Sequence, residues 1–200
     1  MAEHDHHHHH HGPWTHEQLQ HLENPEREKL MPREPVLAAL NPQLGEKIAD
    51  VGAGLGWLTF PLAVAVGESG AVLAIDPSQD GIRAIRDKAQ QQQLPQVETL
   101  ERSAEDTGLP ADYVDGILWH TMYHDVGNRP RAIGEMFRIL KSGGRWVIVD
   151  WVKENTESGP PITVRLSPDE VRSEVETAGF QVTRQWKAGP VTWGLTVEKP

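Results

Sequence analysis

Two features of this 200-residue chain can do chemistry by residue type and spacing. The first is Asp50-Val51-Gly52-Ala53-Gly54-Leu55-Gly56. Glycines at alternate positions let a backbone turn sharply and lie close to a ligand. The fingerprint G-x-G-x-x-G needs glycine at position 57, where Trp57 stands, and no Gly-Lys-Ser/Thr follows. The loop is of nucleotide-binding type but poorly suited to a pyrophosphate. The second feature is Asp76, 20 residues past Gly56, at the end of an apolar run. A carboxylate there accepts two hydrogen bonds from a ribose diol. Together they point to a nucleoside cofactor without a phosphate. A plainer use of the same residues is turn geometry for the glycines and helix capping for Asp76. His120 and His124 are the only histidines outside the N-terminal region, and imidazole titrates near neutral pH, so both are candidate bases.

The elements that must position these residues alternate along the chain. Short apolar strands are expected at 47–51, 71–75, 97–100, 115–119 and 145–151, with helices at 57–66, 78–93 and 129–140. Ser78 caps the second of these, and Ile82, Ile85 and Ala89 share its inner face. Ser167-Pro168-Asp169-Glu170 combines an N-cap, a first-turn proline and a capping-box glutamate. A closing hairpin is expected from 180–186 and 191–197. Strands spaced by helices imply an α/β fold with a doubly wound sheet, mostly parallel, to which the hairpin adds an antiparallel C-terminal strand. The candidate ligand residues then fall at the carboxyl edge. Residues 15–40 read as short helical pieces broken by Pro25, Pro32 and Pro35.

Composition narrows the function classes. The chain has no cysteine, which excludes disulfides, cysteine-based metal sites and a thiol nucleophile. Its net charge of −10 repels phosphate backbones, so no nucleic-acid partner is expected. No apolar run approaches a bilayer span, and the N-terminus lacks an apolar signal core; the expectation is a cytoplasmic protein. Nine of the 11 histidines lie at or before His21, six of them in an unbroken run from His6 to His11. The run is a purification tag or a natural metal-binding tail. The domain reading is a His-rich tail over 1–13, a helical lead or lid over 14–46, and the main domain over 47–200.

On these motifs the chain resembles the class I S-adenosylmethionine-dependent methyltransferases, in the broad group that includes the ubiquinone/menaquinone-biosynthesis type. The carriers are Ile48 to Gly56, Ala74-Ile75-Asp76-Pro77, Ser103-Ala104-Glu105-Asp106 with Leu109-Pro110 and Tyr113 to Ile117 behind it, and Glu135 to Gly144 leading into the fifth strand. The resemblance implies a Rossmann-like seven-stranded sheet, S-adenosyl-L-methionine as cofactor and S-adenosyl-L-homocysteine as product. It also assigns roles. Gly52, Ala53 and Gly54 hold the methionine end through backbone contacts, and Asp50 braces the loop or meets the cofactor amine. Asp76 holds the ribose, with Pro77 against the adenine. Ala104 offers an N–H to the adenine ring, beside Ser103 or Glu105, although relatives carry Asp or Asn where Ser103 stands. Trp119 and His120 lie beside the sulfonium. No metal site is implied.

Substrate choice is expected from two segments. One is the N-terminal lead, with Trp14, His21, Glu26-Arg27 and Met31 as a lid. The other is the loop 151–166, where Arg165 either pairs with an anionic acceptor or is an exposed solubilising charge. Tyr123 reads as a wall of the site. Trp146, Trp186 and Trp193 read as packing residues. The compact length favours a small-molecule acceptor, with a homodimer as a way to complete the site. Two other readings are a cofactor-binding protein without catalysis, regulatory or metal-linked, and a nicotinamide oxidoreductase, which Trp57 opposes.

Overall fold

The computed structural model describes residues 26–200; the His-rich tract, Trp14 and His21 lie outside them. Two short helices come first, α1 (Arg27–Leu30) and α2 (Arg33–Leu40). Alternation follows: β1 (Lys47–Val51), α3 (Thr59–Val66), β2 (Ala71–Asp76), α4 (Gln79–Gln91), β3 (Val97–Glu101), β4 (Val114–His120), α5 (Arg129–Ile139), β5 (Leu140–Trp151), α6 (Pro168–Thr177), β6 (Gln181–Lys187) and β7 (Thr192–Glu198). The strands form one sheet in the order β3-β2-β1-β4-β5-β7-β6. All pairings are parallel except those of β7, which runs antiparallel to both β5 and β6. This is the expected seven-stranded doubly wound sheet with its antiparallel strand.

Period-2 alternation splits the strand side chains between two helix layers. Ile48, Val72, Leu118, Val147 and Val149 pack with Val36 and Leu40 of α2 and Leu62, Ala63 and Val66 of α3. Ala74 packs with Ile85 and Ala89 of α4 on that same side. Their neighbours Ala49, Leu73, Ile117, Trp119 and Ile148 face the other way, toward Ile133 and Met136 of α5 and Val171 and Val175 of α6. Helix α2 shares a core with the sheet, so residue 46 is not a packing boundary.

Local signals explain most element ends. The Ser78 hydroxyl accepts from the Gly81 N–H at 3.2 Å. Ser167 and Glu170 form the expected reciprocal capping box. Pro35 does not break α2: it sits in the first turn, where its missing N–H has no intrahelical use. Strand β5 begins earlier than expected, directly after α5. Leu140 pairs with Val114, the register then shifts, and Arg145 pairs with Gly116, so 141–144 form an irregularity within the strand.

The sheet order reverses between β1 and β4. The chain runs outward through β2 and β3, then returns to the other side of β1. Loops leaving β1 and β4 therefore part in opposite directions and open a crevice at their carboxyl ends.

Candidate active site

The glycine loop leaves β1 into that crevice. Gly52, Gly54 and Gly56 have φ of 74°, 56° and 82°, in the left-handed region where side chains are strained. The Gly52 and Ala53 N–H groups donate to the Ile75 carbonyl at 2.8 and 3.1 Å, and the Gly54 N–H donates to Asp76 Oδ2 at 2.8 Å. The loop's donors thus point inward, while none of these turn bonds ends on the carbonyls of Gly52 or Gly54. A phosphate needs donors; a cationic ammonium needs acceptors. What the loop leaves for a ligand's donors is therefore carbonyl oxygen.

Asp76 is fixed from both sides. Oδ1 accepts from the Ser78 N–H at 2.8 Å and Oδ2 from Gly54. Each carboxylate oxygen has two lone pairs, so two acceptor positions remain, one per oxygen, which matches a vicinal diol. Burial pushes the Asp76 carboxyl up, against the two backbone bonds that hold it down. Pro77 follows as an exposed apolar residue. At the end of β3, Ser103 bridges Asp106 and Ala104 is buried. Glu105 uses its carboxylate on the Asn128 N–H at 3.3 Å, which ties it to the start of α5.

Asp50 lies deeper. Its Oδ2 accepts from the Thr59 hydroxyl at 2.6 Å, across the loop to the first residue of α3. Burial pushes its carboxyl up to about 6, opposed by the Thr59 bond, reinforced by the Asp76 charge and eased by Arg27. Loop bracing is therefore one observed role.

At the end of β4 the four candidates diverge. The Trp119 indole is fully buried on the α5 side, where Nε1 lies 3.2 Å from Met136 Sδ and the ring meets Tyr123 and Trp146. Alternation sends this side chain into the core, so a contact of Trp119 with the cofactor would have to come from its backbone at the end of β4. His120 is 92% buried, with Nε2 lacking a hydrogen-bond partner among the described residues. Burial, with Arg27 nearby, pushes this imidazole down to about 3, so it is neutral. Thr121 then adopts φ 55°, rare for a side-chain-bearing residue, with its N–H on the Val149 carbonyl at 2.7 Å. This turn brings Met122 so close to Gly52 that a Cβ there would stand 2.8 Å from Met122 Cγ. His124 differs from His120. Nδ1 is 2.8 Å from Asp150 Oδ1, and Nε2 is 3.3 Å from Asp125 Oδ2. Burial lowers its basicity, but Asp150 and then Asp125 outweigh that and raise it. Both ring nitrogens are engaged. Tyr123 is buried, with its hydroxyl donating to Glu174 at 2.7 Å, so it braces α6.

Arg165 is neither an exposed charge nor a waiting anion receptor. Its side chain is almost wholly buried, and its guanidinium donates to the carbonyls of Val152, Glu154, Ser158 and Pro160 and to the Thr156 hydroxyl, at 2.7 to 3.1 Å. One planar fork gathers the whole loop after β5. Thr59, Asp125 and Asp150 are residues around the site that the sequence reading missed, while Arg27, expected in the lid, faces Asp50 and His120 as a charge. Asp150 lies one residue before the end of β5, much as Asp76 ends β2, so a similar signal was available for it.

Comparison with known proteins agrees with this geometry. The family model described as a methyltransferase domain matches residues 49–148. The ubiquinone/menaquinone biosynthesis C-methyltransferase of Vibrio vulnificus is 32% identical over 110 residues, covering 54% of this chain and 42% of that protein. The enzyme of that description from Yersinia pestis is 30% identical over 110 residues, covering 54% and 44%. The chain thus matches less than half the length of these curated relatives. A crystal structure of a SAM-dependent methyltransferase from Aquifex aeolicus superposes with a TM-score of 0.87 at 29% identity, covering 92% of this chain and 98% of that one. The [4+2]-cyclase SpnF shares the fold alone, with a TM-score of 0.73 at 19% identity and coverage of 84% and 80%. Half of the chain is matched by the family model, and it therefore belongs to the methyltransferase domain family, the class I fold whose cofactor is S-adenosyl-L-methionine.

Proposed function

We propose that the protein transfers a methyl group from S-adenosyl-L-methionine to a small-molecule acceptor. The observation that carries this reading is the Asp76 carboxylate, clamped by Gly54 and Ser78 with one acceptor position left on each oxygen. The crevice residues fit the cofactor's parts. Asp76 takes the ribose diol, and the carbonyls of Gly52 and Gly54 take the ammonium. Pro77 and Ala104 flank the adenine, and Ser103 is the polar side chain beside it. Asp50 braces the loop through Thr59 and lends negative charge to the ammonium end.

When bound, the cofactor supplies an activated sulfonium as leaving group. The protein's share is alignment and exclusion of water. The neutral His120 imidazole, buried with Nε2 unanswered, is a candidate to touch the acceptor or the cofactor carboxylate. His124, held between Asp150 and Asp125, orients the loop after β4 and serves as base only if that loop shifts. The names of the curated relatives support carbon as the methylated atom. Among the described residues no helix is long and apolar enough to cross a membrane.

The test is calorimetric titration with S-adenosylmethionine, S-adenosylhomocysteine and NAD. Micromolar binding of the adenosyl ligands without NAD binding is expected. Asp76→Ala removes two hydrogen bonds to a charged acceptor, so affinity should fall roughly 100-fold or more. Unchanged affinity in that variant would overturn the assignment.

A further inference from the structure

Helix α1 is short, and the packing after it fixes where it stands. Met31, which follows it, is buried. A Cβ on Gly189 would stand 2.6 Å from the Leu30 carbonyl oxygen and 3.0 Å from Pro32 Cδ, so the β6–β7 turn bears on the residues that end the helix. That turn lies at the carboxyl edge, because Thr192 pairs with Trp151, the last residue of β5. From this seat Arg27 reaches the glycine loop. Its guanidinium carbon lies 4.9 Å from the centre of the Trp57 ring, and it shares a concavity with Leu55 and Gly56. It feels the Asp50 carboxylate as a favourable charge, and in turn it depresses the basicity of His120. Burial pushes the guanidinium down to about 10, which leaves it charged at neutral pH. Three elements, α1, β1 and β4, thus bring a cation, a carboxylate and a neutral imidazole to one end of the crevice.

The amino-acid end of the cofactor carries an ammonium and a carboxylate. Asp50 and the loop carbonyls suit the first. The loop has little to offer the second, because the N–H groups of Gly52, Ala53, Gly54 and Gly56 all donate within the protein. Arg33, 4.4 Å from the same Trp57 ring, is held by Glu28 at 2.7 Å, and Arg165 is taken up by the loop after β5. We propose that Arg27 receives the cofactor's carboxylate and makes the site selective for ligands with the complete amino-acid end. A guanidinium offers five N–H groups in a planar fork, so it serves a protein neighbour and a carboxylate together. Asp50 and Arg27 then match the opposite charges of the ligand with opposite charges of their own. The inference rests on the methyl-transfer reading and adds α1 to the cofactor site.

The test is calorimetric titration of three ligands: S-adenosylhomocysteine, its decarboxylated analogue, and 5′-methylthioadenosine, which lacks both charged groups. The full chain should prefer the first over the second by about ten-fold or more. Arg27→Gln should abolish that preference by weakening S-adenosylhomocysteine alone, with the other two held at least as well as before to within about two-fold. Arg27→Lys, which keeps the charge without the fork, should stand between the two proteins. Equal affinity of the unaltered chain for the full and decarboxylated ligands overturns the proposal without any variant. So does a preference that survives Arg27→Gln, or a loss shared by all three ligands, which would make Arg27 a structural support of α1. A loss shared by the two ligands that carry the ammonium would mean that Arg27 acts through Asp50, and overturns it too. Failure of the unaltered chain to bind any of the three would overturn the cofactor reading itself, and this inference with it.

Discussion

Asp50→Asn should make the ligand-free protein more stable at neutral pH while weakening its hold on the cofactor. The Asp50 carboxyl is pushed from 3.8 up to about 6, chiefly by burial. A raised carboxyl favours the folded state only while it is protonated. The contribution is intact below about pH 4, where both states are neutral, and is lost as pH rises through 6. A shift of about two pKa units corresponds to about 3 kcal/mol lost by pH 8, of which about half is already gone at pH 5. Asparagine keeps an acceptor for the Thr59 hydroxyl and has no charge to desolvate. Urea unfolding of both proteins from pH 5 to 8 is the assay. The stability of the variant relative to wild type should rise by about 1 kcal/mol across that range. The affinity for S-adenosylhomocysteine should fall, because the ammonium loses its nearby negative charge. A difference in stability that is flat with pH would refute the burial argument.

Three further outcomes follow from the geometry. Arg165→Lys gives up the fork that gathers five acceptors, so the loop after β5 should exchange amide hydrogens faster over 152–164, with a stability loss of about 3 kcal/mol and unchanged affinity for S-adenosylhomocysteine; unchanged exchange would show that the loop holds itself. Trp119→Phe should cost stability through the lost Met136 contact and core volume, yet leave cofactor affinity within two-fold; a large affinity loss would place the indole in the crevice after all. NMR titration should show His120 still neutral at pH 5 and His124 titrating above its usual value. The paired His124 then stabilises the fold at low pH, and that contribution is lost as pH rises through its folded-state pKa; titration of the two histidines in the opposite order would contradict the assigned environments.

Strand and helix identity was legible because each element carries its own periodicity and caps. Ser78, Ser167 and Glu170 act where their spacing said they would. The glycine loop and Asp76 were legible for a related reason: positive φ and a strand-end carboxylate are local demands that only a few residue types meet. The side-chain environment of Trp119 was not legible, because adjacent residues on a strand face opposite layers. The register of Ile117 and Trp119 on one face was in the sequence, but not which layer that face met. Arg165 was opaque in principle. Its partners are backbone carbonyls of an irregular loop, which carry no side-chain pattern, so its burial appears only in three dimensions.

The most direct measurement is a crystal structure of the protein with S-adenosylhomocysteine. The expected result puts both ribose hydroxyls on the Asp76 oxygens, the ammonium on the Gly52 and Gly54 carbonyls, and the adenine between Pro77 and Ala104. A ribose bound elsewhere, or a ligand held by the loop's N–H groups, would contradict the central claim.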